Sequence, residues 1–293
     1  MTDITLLDGG MGQELVHRAG NRPTPLWSTQ VMLEHPGLVA DVHRDFTKAG
    51  ATIATTNTYA ILRDRLEGTG LSERFADLLT MALAEARTSG AKRIAGSIGP
   101  IRASYRPDLH PDANTGAPIY AEIAQMIGPS CDLILCETVA SVTHAEAILR
   151  GGAAAGKPVW LALTVQDDDG TRLRSGESLA DAMPFAKAGA AAVLVNCAAP
   201  EAIPAALDVL ATSGLPYGAY ANAFEKITDD FLKDRPTVDA LQKRVDMTPE
   251  AYADHVMAWV DQGATIVGGC CEVSPDHIAE IARRLNAAGH SIV

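Results

Sequence analysis

The chain alternates eight times between a short apolar run and a longer segment whose apolar residues recur at helical spacing. Most of the short runs are continuous rather than alternating, which is typical of parallel strands that are buried on both faces. The predicted strands are Ile4–Leu7, Thr52–Thr56, Arg93–Ser97, Leu133–Cys136, Val159–Val165, Ala192–Asn196, Tyr217–Ala221 and Thr265–Val267. The predicted helices are Gly37–Ala49, Leu71–Ser89, Ile119–Ile127, Val142–Ala155, Ser178–Ala188, Pro200–Thr212, Pro249–Gln262 and Pro275–Ala287.

This order of elements predicts a TIM (β/α)₈ barrel that occupies residues 1–293 as a single domain. The alternative is a doubly wound open sheet, which would need a phosphate-binding glycine loop after the first strand. The segment Asp8-Gly9-Gly10-Met11-Gly12 is rich in glycine but does not fit the GxGxxG pattern. The barrel is therefore the favoured fold.

Composition and charge limit the partners. The formal net charge is -12 and 47% of residues are hydrophobic, so we expect a sizeable core and neither nucleic acid nor an anionic membrane as partner. We see no secretory signal at the N-terminus and no run that approaches the ~20 apolar residues of a membrane-spanning helix. We expect a cytoplasmic protein that acts on small molecules, with its five cysteines as free thiols and with a homo-oligomer as one possibility.

Polar and glycine-rich segments follow most of the predicted strands. In a barrel the carboxyl ends of the strands meet at one rim, where active sites lie, so we expect these segments to form a single site. They are Asp8-Gly9-Gly10, Thr56-Asn57-Thr58-Tyr59, Gly96-Ser97-Ile98-Gly99-Pro100, Glu137-Thr138, Asn196-Cys197, Asn222 and Gly268-Gly269-Cys270-Cys271.

Three cysteines in this set indicate a metal site. Cys270 and Cys271 are adjacent and follow two glycines, which permit the bend that two neighbouring ligands need, and Cys197 ends another strand at the same rim. Three thiolates leave one position open on a tetrahedral Zn²⁺, which is typical of a catalytic site. The alternative is that cysteines serve as small buried hydrophobic residues, and we prefer that interpretation for Cys131 and Cys136.

The open position on such a zinc ion favours a thiol substrate. A free thiol has a pKa of about 8.5, and only its thiolate is a strong nucleophile. Zinc would lower that pKa and fix the sulfur in place. Because three thiolates outweigh the charge of the ion, the substrate sulfur would stay electron-rich, which favours attack on carbon over activation of water.

The remaining rim residues fit an amino acid and a methyl donor. Asp8 and Glu137 could hold an ammonium group, although each could equally cap the loop or helix that follows it. A methyl donor should be an onium cation, and onium groups are held by aromatic faces. Trp27 and Tyr59 are the candidates for that role, although core packing explains both equally well.

Together these motifs resemble the homocysteine S-methyltransferase family, from the first strand to the last helix. The combination of Asn196-Cys197 with Gly268-Gly269-Cys270-Cys271 carries most of the specificity. The resemblance implies a zinc-dependent TIM barrel whose zinc ligands are Cys197, Cys270 and Cys271.

The resemblance also implies how homocysteine is bound. Asp8 and Glu137 would contact its amino group, and Gly9 and Gly10 would contact its carboxylate. Thr56 and Asn222 complete the candidate substrate contacts.

The family's donors are S-methylmethionine, S-adenosylmethionine, betaine, or folate through cobalamin. We find no folate or cobalamin module beside the barrel, so a small onium donor is expected, with S-methylmethionine or S-adenosylmethionine favoured. The sequence departs from the betaine enzymes at Thr138, where those enzymes place an aromatic residue, and from many members at Asn222-Ala223-Phe224-Glu225. The Lys226–Asp246 connection behind that segment is either a lid or a surface excursion.

The sequence thus predicts a zinc-dependent methyltransferase that makes methionine from homocysteine. Enzymes that use betaine or dimethylsulfoniopropionate as donor, or selenocysteine as acceptor, are the nearest alternatives. A zinc-storage protein is the non-enzymatic alternative, but storage would not need Asp8 or Glu137.

Overall fold

The computed structural model describes residues 2–20, 24, 26–225 and 243–293. The strands are β1 (Asp3–Leu6), β2 (Ile53–Thr55), β3 (Arg93–Ile98), β4 (Leu133–Val139), β5 (Val159–Leu163), β6 (Ala192–Asn196), β7 (Tyr217–Ala221), β8 (Ile266–Gly269) and β9 (Ser291–Ile292). The helices are α1 (Met11–Arg18), α2 (Trp27–Glu34), α3 (Leu38–Lys48), α4 (Arg63–Leu66), α5 (Phe75–Arg87), α6 (Ala113–Ile127), α7 (Val142–Gly152), α8 (Met183–Gly189), α9 (Ile203–Ala211), α10 (Pro249–Asp261) and α11 (Pro275–Ala287).

The first eight strands close into a parallel barrel. Strands β2 to β8 pair with their neighbours in sequence order, and β8 then pairs with β1. The ring closes between β1 and β2, where Thr52 N donates to Leu6 O at 2.8 Å. The predicted TIM (β/α)₈ barrel is therefore confirmed.

A ninth strand, which the sequence analysis missed, extends the sheet beside β1. Strand β9 pairs in parallel with Asp3 and Ile4, and Val293 N donates to Ile4 O at 2.9 Å. Because Ile4 and Leu6 are two residues apart, their carbonyls point to the same side of β1. Strand β9 therefore fills the gap between β1 and β2 at the amino-terminal end of the barrel. With only two residues, it is too short to give a hydrophobic pattern.

The strands are buried on both faces. In β5, Trp160 and Ala162 belong to the cluster inside the barrel, whereas Leu161 and Leu163 pack in the larger core between strands and helices. The seven residues of β4 are all buried. This double burial explains the continuous apolar runs of the sequence.

Several predicted boundaries were wrong. Helices α1, α2 and α4 were not predicted, and α6 begins at Ala113 rather than at Ile119. The side chain of Asp112 caps α6 by accepting from Asn114 N and Thr115 N, and Pro118 lies inside the helix, where it interrupts the helical pattern. Strand β4 continues to Val139, so Glu137 lies within the strand and not after it.

Most of the connection that was considered as a lid, at 226–242, lies outside the described residues. On either side of it the chain is anchored to the barrel, since Arg244 N donates to Ala223 O at 3.0 Å. Among the helices described, none combines the length and the apolar character that crossing a bilayer requires.

Candidate active site

A cavity of about 420 Å³ opens at the carboxyl ends of the strands, a size that is ordinary for small-molecule sites. Ten of the eleven candidate residues line it, and Asn222 does not. The ten are Asp8, Gly9, Gly10, Trp27, Thr56, Tyr59, Glu137, Cys197, Cys270 and Cys271.

Three cysteine sulfurs meet in this cavity. The Sγ atoms of Cys197, Cys270 and Cys271 all lie within 4.8 Å of one another, and those of Cys197 and Cys270 are 2.7 Å apart. Cys197 directly follows β6, and Cys270 directly follows β8. The barrel thus joins two segments that are 73 residues apart in sequence.

The three thiols ionise at each other's expense. Hydrogen bonds from Cys270 and Cys271 hold the pKa of Cys197 well below its usual value. The pKa of Cys270 is raised well above its usual value, first by its bond to Cys197, and the pKa of Cys271 is raised in the same way. One thiolate is therefore favoured, and a second or third would need a compensating cation.

These residues fit a zinc ion. A tetrahedral zinc with Zn–S bonds of about 2.3 Å holds its sulfurs roughly 3.8 Å apart, which matches the size of the cluster once Cys197 and Cys270 separate by about 1 Å. A divalent cation would also supply the charge that three thiolates need. The donor set, three sulfurs with a cavity beside them, leaves room for a fourth ligand from a substrate.

The Asp8 carboxylate is held at the end of β1. Thr55 donates to it twice, from N to Oδ2 and from Oγ1 to Oδ1, both at 2.7 Å. Burial nevertheless raises the pKa of Asp8 from 3.8 to about 7, and the two bonds offset only part of this effect. A buried carboxylate that gains stability from a cation is suited to binding an ammonium group.

Glu137 projects into the barrel from β4, on the same face as Leu133 and Leu135. Its Oε1 accepts from Tyr220 OH at 2.9 Å, and its Oε2 accepts from Ser97 Oγ. Burial raises the pKa of Glu137 to about 8, and the charges of Cys197 and Asp8 act in the same direction. Two buried carboxyls whose pKa values are both raised form a site for one positive charge.

The glycines after Asp8 permit close packing, and the N–H group of one of them already donates a hydrogen bond within the protein. Gly10 N donates to Val273 O at 2.9 Å, so the predicted contact of its N–H with a carboxylate would require this bond to break. Helix α1 begins at Met11, and the first N–H groups of a helix have no partner within the helix. An anion here would therefore meet Gly9 and the amino end of α1.

Aromatic side chains form another part of the wall. The rings of Trp27 and Tyr59 meet edge to face with centroids 6.1 Å apart, and Tyr59 OH is 2.7 Å from Ser104 Oγ. Burial raises the pKa of Tyr59 well above its usual value, the charge of Cys197 adds to this, and the charge of Arg65 acts against it. Tyr59 thus lies within electrostatic reach of both the sulfur cluster and Arg65.

Two candidate residues serve the wall rather than the open cavity. The hydroxyl of Thr56 is 2.7 Å from that of Thr58 and accepts from Ser97 N at 3.0 Å. The side-chain amide of Asn222 is buried without a hydrogen-bond partner in the described part of the chain, and Asn222 does not line the cavity.

The sequence analysis missed several cavity residues. Gln13, Arg65 and Arg102 line the cavity, and the neighbouring Thr55 rather than Thr56 holds Asp8. Gln13 and Arg65 lie on helices that were not predicted, which is why they escaped notice.

The family model described as homocysteine S-methyltransferase matches residues 5–285. The chain belongs to the homocysteine S-methyltransferase family. Homocysteine S-methyltransferase from Escherichia coli K12 is 31% identical over 96% of this chain and 95% of its own length. Among other family relatives, YbgG from Bacillus subtilis is 28% identical, covering 95% of this chain and 93% of its own. Selenocysteine Se-methyltransferase from Brassica oleracea is 26% identical, covering 96% and 88%.

Solved structures within the homocysteine S-methyltransferase family agree with the barrel. The metallated form of the homocysteine methyltransferase MmuM from Escherichia coli superposes with a TM-score of 0.80 at 27% identity, covering 97% of this chain and 96% of that one. Its oxidized form gives a TM-score of 0.81 with the same identity and coverage.

Proposed function

We propose that this protein transfers a methyl group from a small onium donor to the thiol of L-homocysteine, giving methionine, with a zinc ion held by Cys197, Cys270 and Cys271. The observation that carries the proposal is the meeting of these three sulfurs in a cavity that also holds two buried carboxyls. Family membership supports the same chemistry.

The cavity offers complementary groups to an amino acid. Asp8 and Glu137 would share the ammonium group of homocysteine, which would favour the ionised form of each buried carboxyl. Gly9 and the amino end of α1 would hold its carboxylate. The side chain would then extend toward the sulfur cluster.

The reaction is a direct displacement. Zinc, when bound, would lower the pKa of the homocysteine thiol and hold its sulfur. The thiol proton leaves to solvent, the substrate sulfur attacks the methyl carbon in line, the new S–CH₃ bond forms, and the donor's onium–CH₃ bond breaks so that the donor departs neutral. The protein contributes mainly positioning, since the cavity holds both reactants in one orientation.

Aromatic faces support an onium donor. The edge-to-face pair of Trp27 and Tyr59 lines the same cavity as the cysteines and could stabilise a sulfonium or ammonium cation. We favour S-methylmethionine or S-adenosylmethionine. Thr138, beside Glu137, is not the aromatic residue expected of a betaine enzyme.

A related acceptor is the second candidate. One relative that covers 96% of this chain is a selenocysteine Se-methyltransferase, so selenocysteine belongs in any substrate panel. Zinc storage is a weaker candidate because the cavity places the buried carboxyls Asp8 and Glu137 beside the sulfurs.

We expect Cys271→Ser to abolish methionine formation and to lower bound zinc, because it removes one of three sulfur ligands. The measurement is methionine formed from homocysteine with S-methylmethionine, S-adenosylmethionine and betaine offered separately, together with metal content. Cys136→Ser is the matched control, since Cys136 is buried outside the cavity and should keep zinc. Full activity of Cys271→Ser would overturn the proposal, and zinc binding by the wild type without methionine from any donor would favour storage.

A further inference from the structure

Arg65 is a cavity cation that the proposed reaction has not used. It lies on α4 and lines the same cavity as the three cysteines. Its guanidinium lies 5.6 Å from the centroid of the Tyr59 ring. Its hydrogen bonds are long, from Nη2 to Pro100 O at 3.4 Å and to Ser104 Oγ at 3.5 Å.

Arg65 has no carboxylate within salt-bridge distance in the described part of the chain, and its buried Nε has no hydrogen-bond partner there. Two other arginines, by contrast, each have a carboxylate partner. Arg63, on the same helix, is 2.6 Å from Glu122, and Arg174 is 2.8 Å from Asp167. A half-buried guanidinium without a counter-charge is costly, so Arg65 has strong unmet capacity for an anion.

The position of Arg65 in the cavity would place it near the end of a bound donor that is remote from the sulfur cluster. The donor's methyl group must face the sulfur cluster, and its cationic centre would lie against Trp27 and Tyr59. Beyond Tyr59 the cavity reaches Arg65 and Ser104. The carboxyl of Asp64, which also lines this end, accepts from Arg102 N at 2.6 Å and is therefore partly satisfied.

We propose that Arg65 binds the carboxylate of the methyl donor, and so selects onium donors that carry a carboxylate at the end remote from the transferred methyl group. This inference rests on the proposed function. A guanidinium can bind a carboxylate through two parallel hydrogen bonds. In Arg65 the Nε atom has no partner in the described part of the chain, and Nη2 makes only the two long bonds at 3.4 and 3.5 Å. The charge of Arg65 would also balance a donor carboxylate in a cavity whose lining includes the acidic residues Asp8, Asp64 and Glu137.

The test compares a donor with its neutral amide. S-methylmethionine and its primary amide differ only in the charge and acceptors of the carboxyl group. We expect wild-type kcat/KM to be roughly 10- to 100-fold higher for the acid than for the amide, the range of a charge-assisted hydrogen bond. Arg65→Met should lose this preference, with acid and amide equally poor, while the KM for homocysteine and the zinc content stay unchanged.

Arg63→Met is the matched control, because Arg63 lies on the same short helix but pairs with Glu122 and does not line the cavity. It should keep the wild-type preference for the acid. Arg65→Lys retains the charge without the planar fork, so it should keep part of the preference, and it serves if Arg65→Met fails to fold.

Two results would overturn the assignment. If Arg65→Met prefers the acid to the same degree as the wild type, Arg65 does not bind the donor carboxylate. The same conclusion holds if Arg65→Lys, used in its place, keeps the full wild-type preference. If the wild type forms no methionine from any donor, the proposed function fails and this assignment fails with it. The two failures are distinguished by the wild-type reaction alone.

Discussion

At the rim, the ionised forms of several buried acidic groups are costly unless a bound cation balances them. Asp8 and Glu137 are buried in the same cavity as three thiols, and burial raises the pKa of both carboxyls. A zinc ion would balance the thiolates, and a substrate ammonium group would balance the carboxyls. The charged groups of the cavity would therefore be more stable with zinc and substrate bound than in the free protein.

The free protein should lose stability as pH rises. The pKa of Asp8 is about 7 in the folded chain and near 3.8 when unfolded, so its contribution to stability is complete below about pH 4 and is lost as pH rises through 7. The side chain at this position cannot ionise in the Asp8→Asn variant. The free energy of unfolding of this variant, relative to that of the wild type, should therefore increase between pH 5 and pH 8. Urea denaturation of the metal-free proteins at several pH values measures this difference.

Asp3→Asn is the control, because Asp3 is an exposed carboxyl at the opposite end of the same strand. Its unfolding free energy should follow the wild type at each pH. Parallel profiles for Asp8→Asn and the wild type would show that the Asp8 carboxyl is ionised without cost, contrary to the burial argument.

Backbone conformation at the rim is also unusual. Thr138, Cys197 and Glu272 all have positive φ, at 58°, 52° and 64°. Such conformations cost on the order of 1–3 kcal/mol for residues other than glycine and collect at functional sites. Each lies at or just beyond the end of β4, β6 or β8, where the chain turns to place the site residues.

At the scale of elements, the start of α1 is packed against the segment 270–272 that follows β8. A Cβ at Gly10 would lie 2.6 Å from Cys270 O and 3.1 Å from Glu272 N, both backbone atoms. The glycines after β1 are therefore needed for contact between two segments that carry site residues. This contact links the glycine turn after Asp8 to the segment that carries Cys270 and Cys271.

We expect Gly10→Ala to lower the free energy of unfolding by about 1–3 kcal/mol, the usual cost of overpacking, and to weaken zinc binding by shifting Cys270. Urea denaturation and competition with a zinc chelator measure the two effects. Gly189→Ala is the control, because a Cβ there meets nothing closer than Leu149 Cβ at 3.6 Å. Unchanged zinc affinity in Gly10→Ala would show that the loop accommodates the methyl group freely.

The sequence predicted the eight barrel strands well because most of them are continuous apolar runs. It failed where elements are short or carry an unusual residue: α4 has four residues, β9 has two, and α6 contains Pro118. Strand alternation could have placed Glu137 on the inner face with Leu135, had β4 been predicted at full length.

The sequence could name the cysteines but not their geometry. Cys197 and Cys271 come together only because β6, β7 and β8 are successive neighbours in the sheet. The bond that occupies Gly10 N, and the absence of a carboxylate partner for Arg65 in the described part of the chain, depend on tertiary contacts that no local pattern reveals.

At the scale of the whole molecule, barrel closure creates the site. The bond between Thr52 N and Leu6 O joins β1 to β2, and β9 seals the same gap at the far end. The pairing of β1 with β8 brings Asp8, which follows the first strand, next to the end of β8, where Gly269 N donates to Asp8 O at 3.0 Å. The chemistry therefore depends on the complete ring.

The most direct measurement is X-ray absorption at the zinc edge of the purified protein, with and without homocysteine. The account predicts one zinc per chain with three sulfur ligands and one lighter ligand, changing to four sulfur ligands when homocysteine is added. Fewer than three protein sulfurs, or a first shell unchanged by saturating homocysteine, would contradict it.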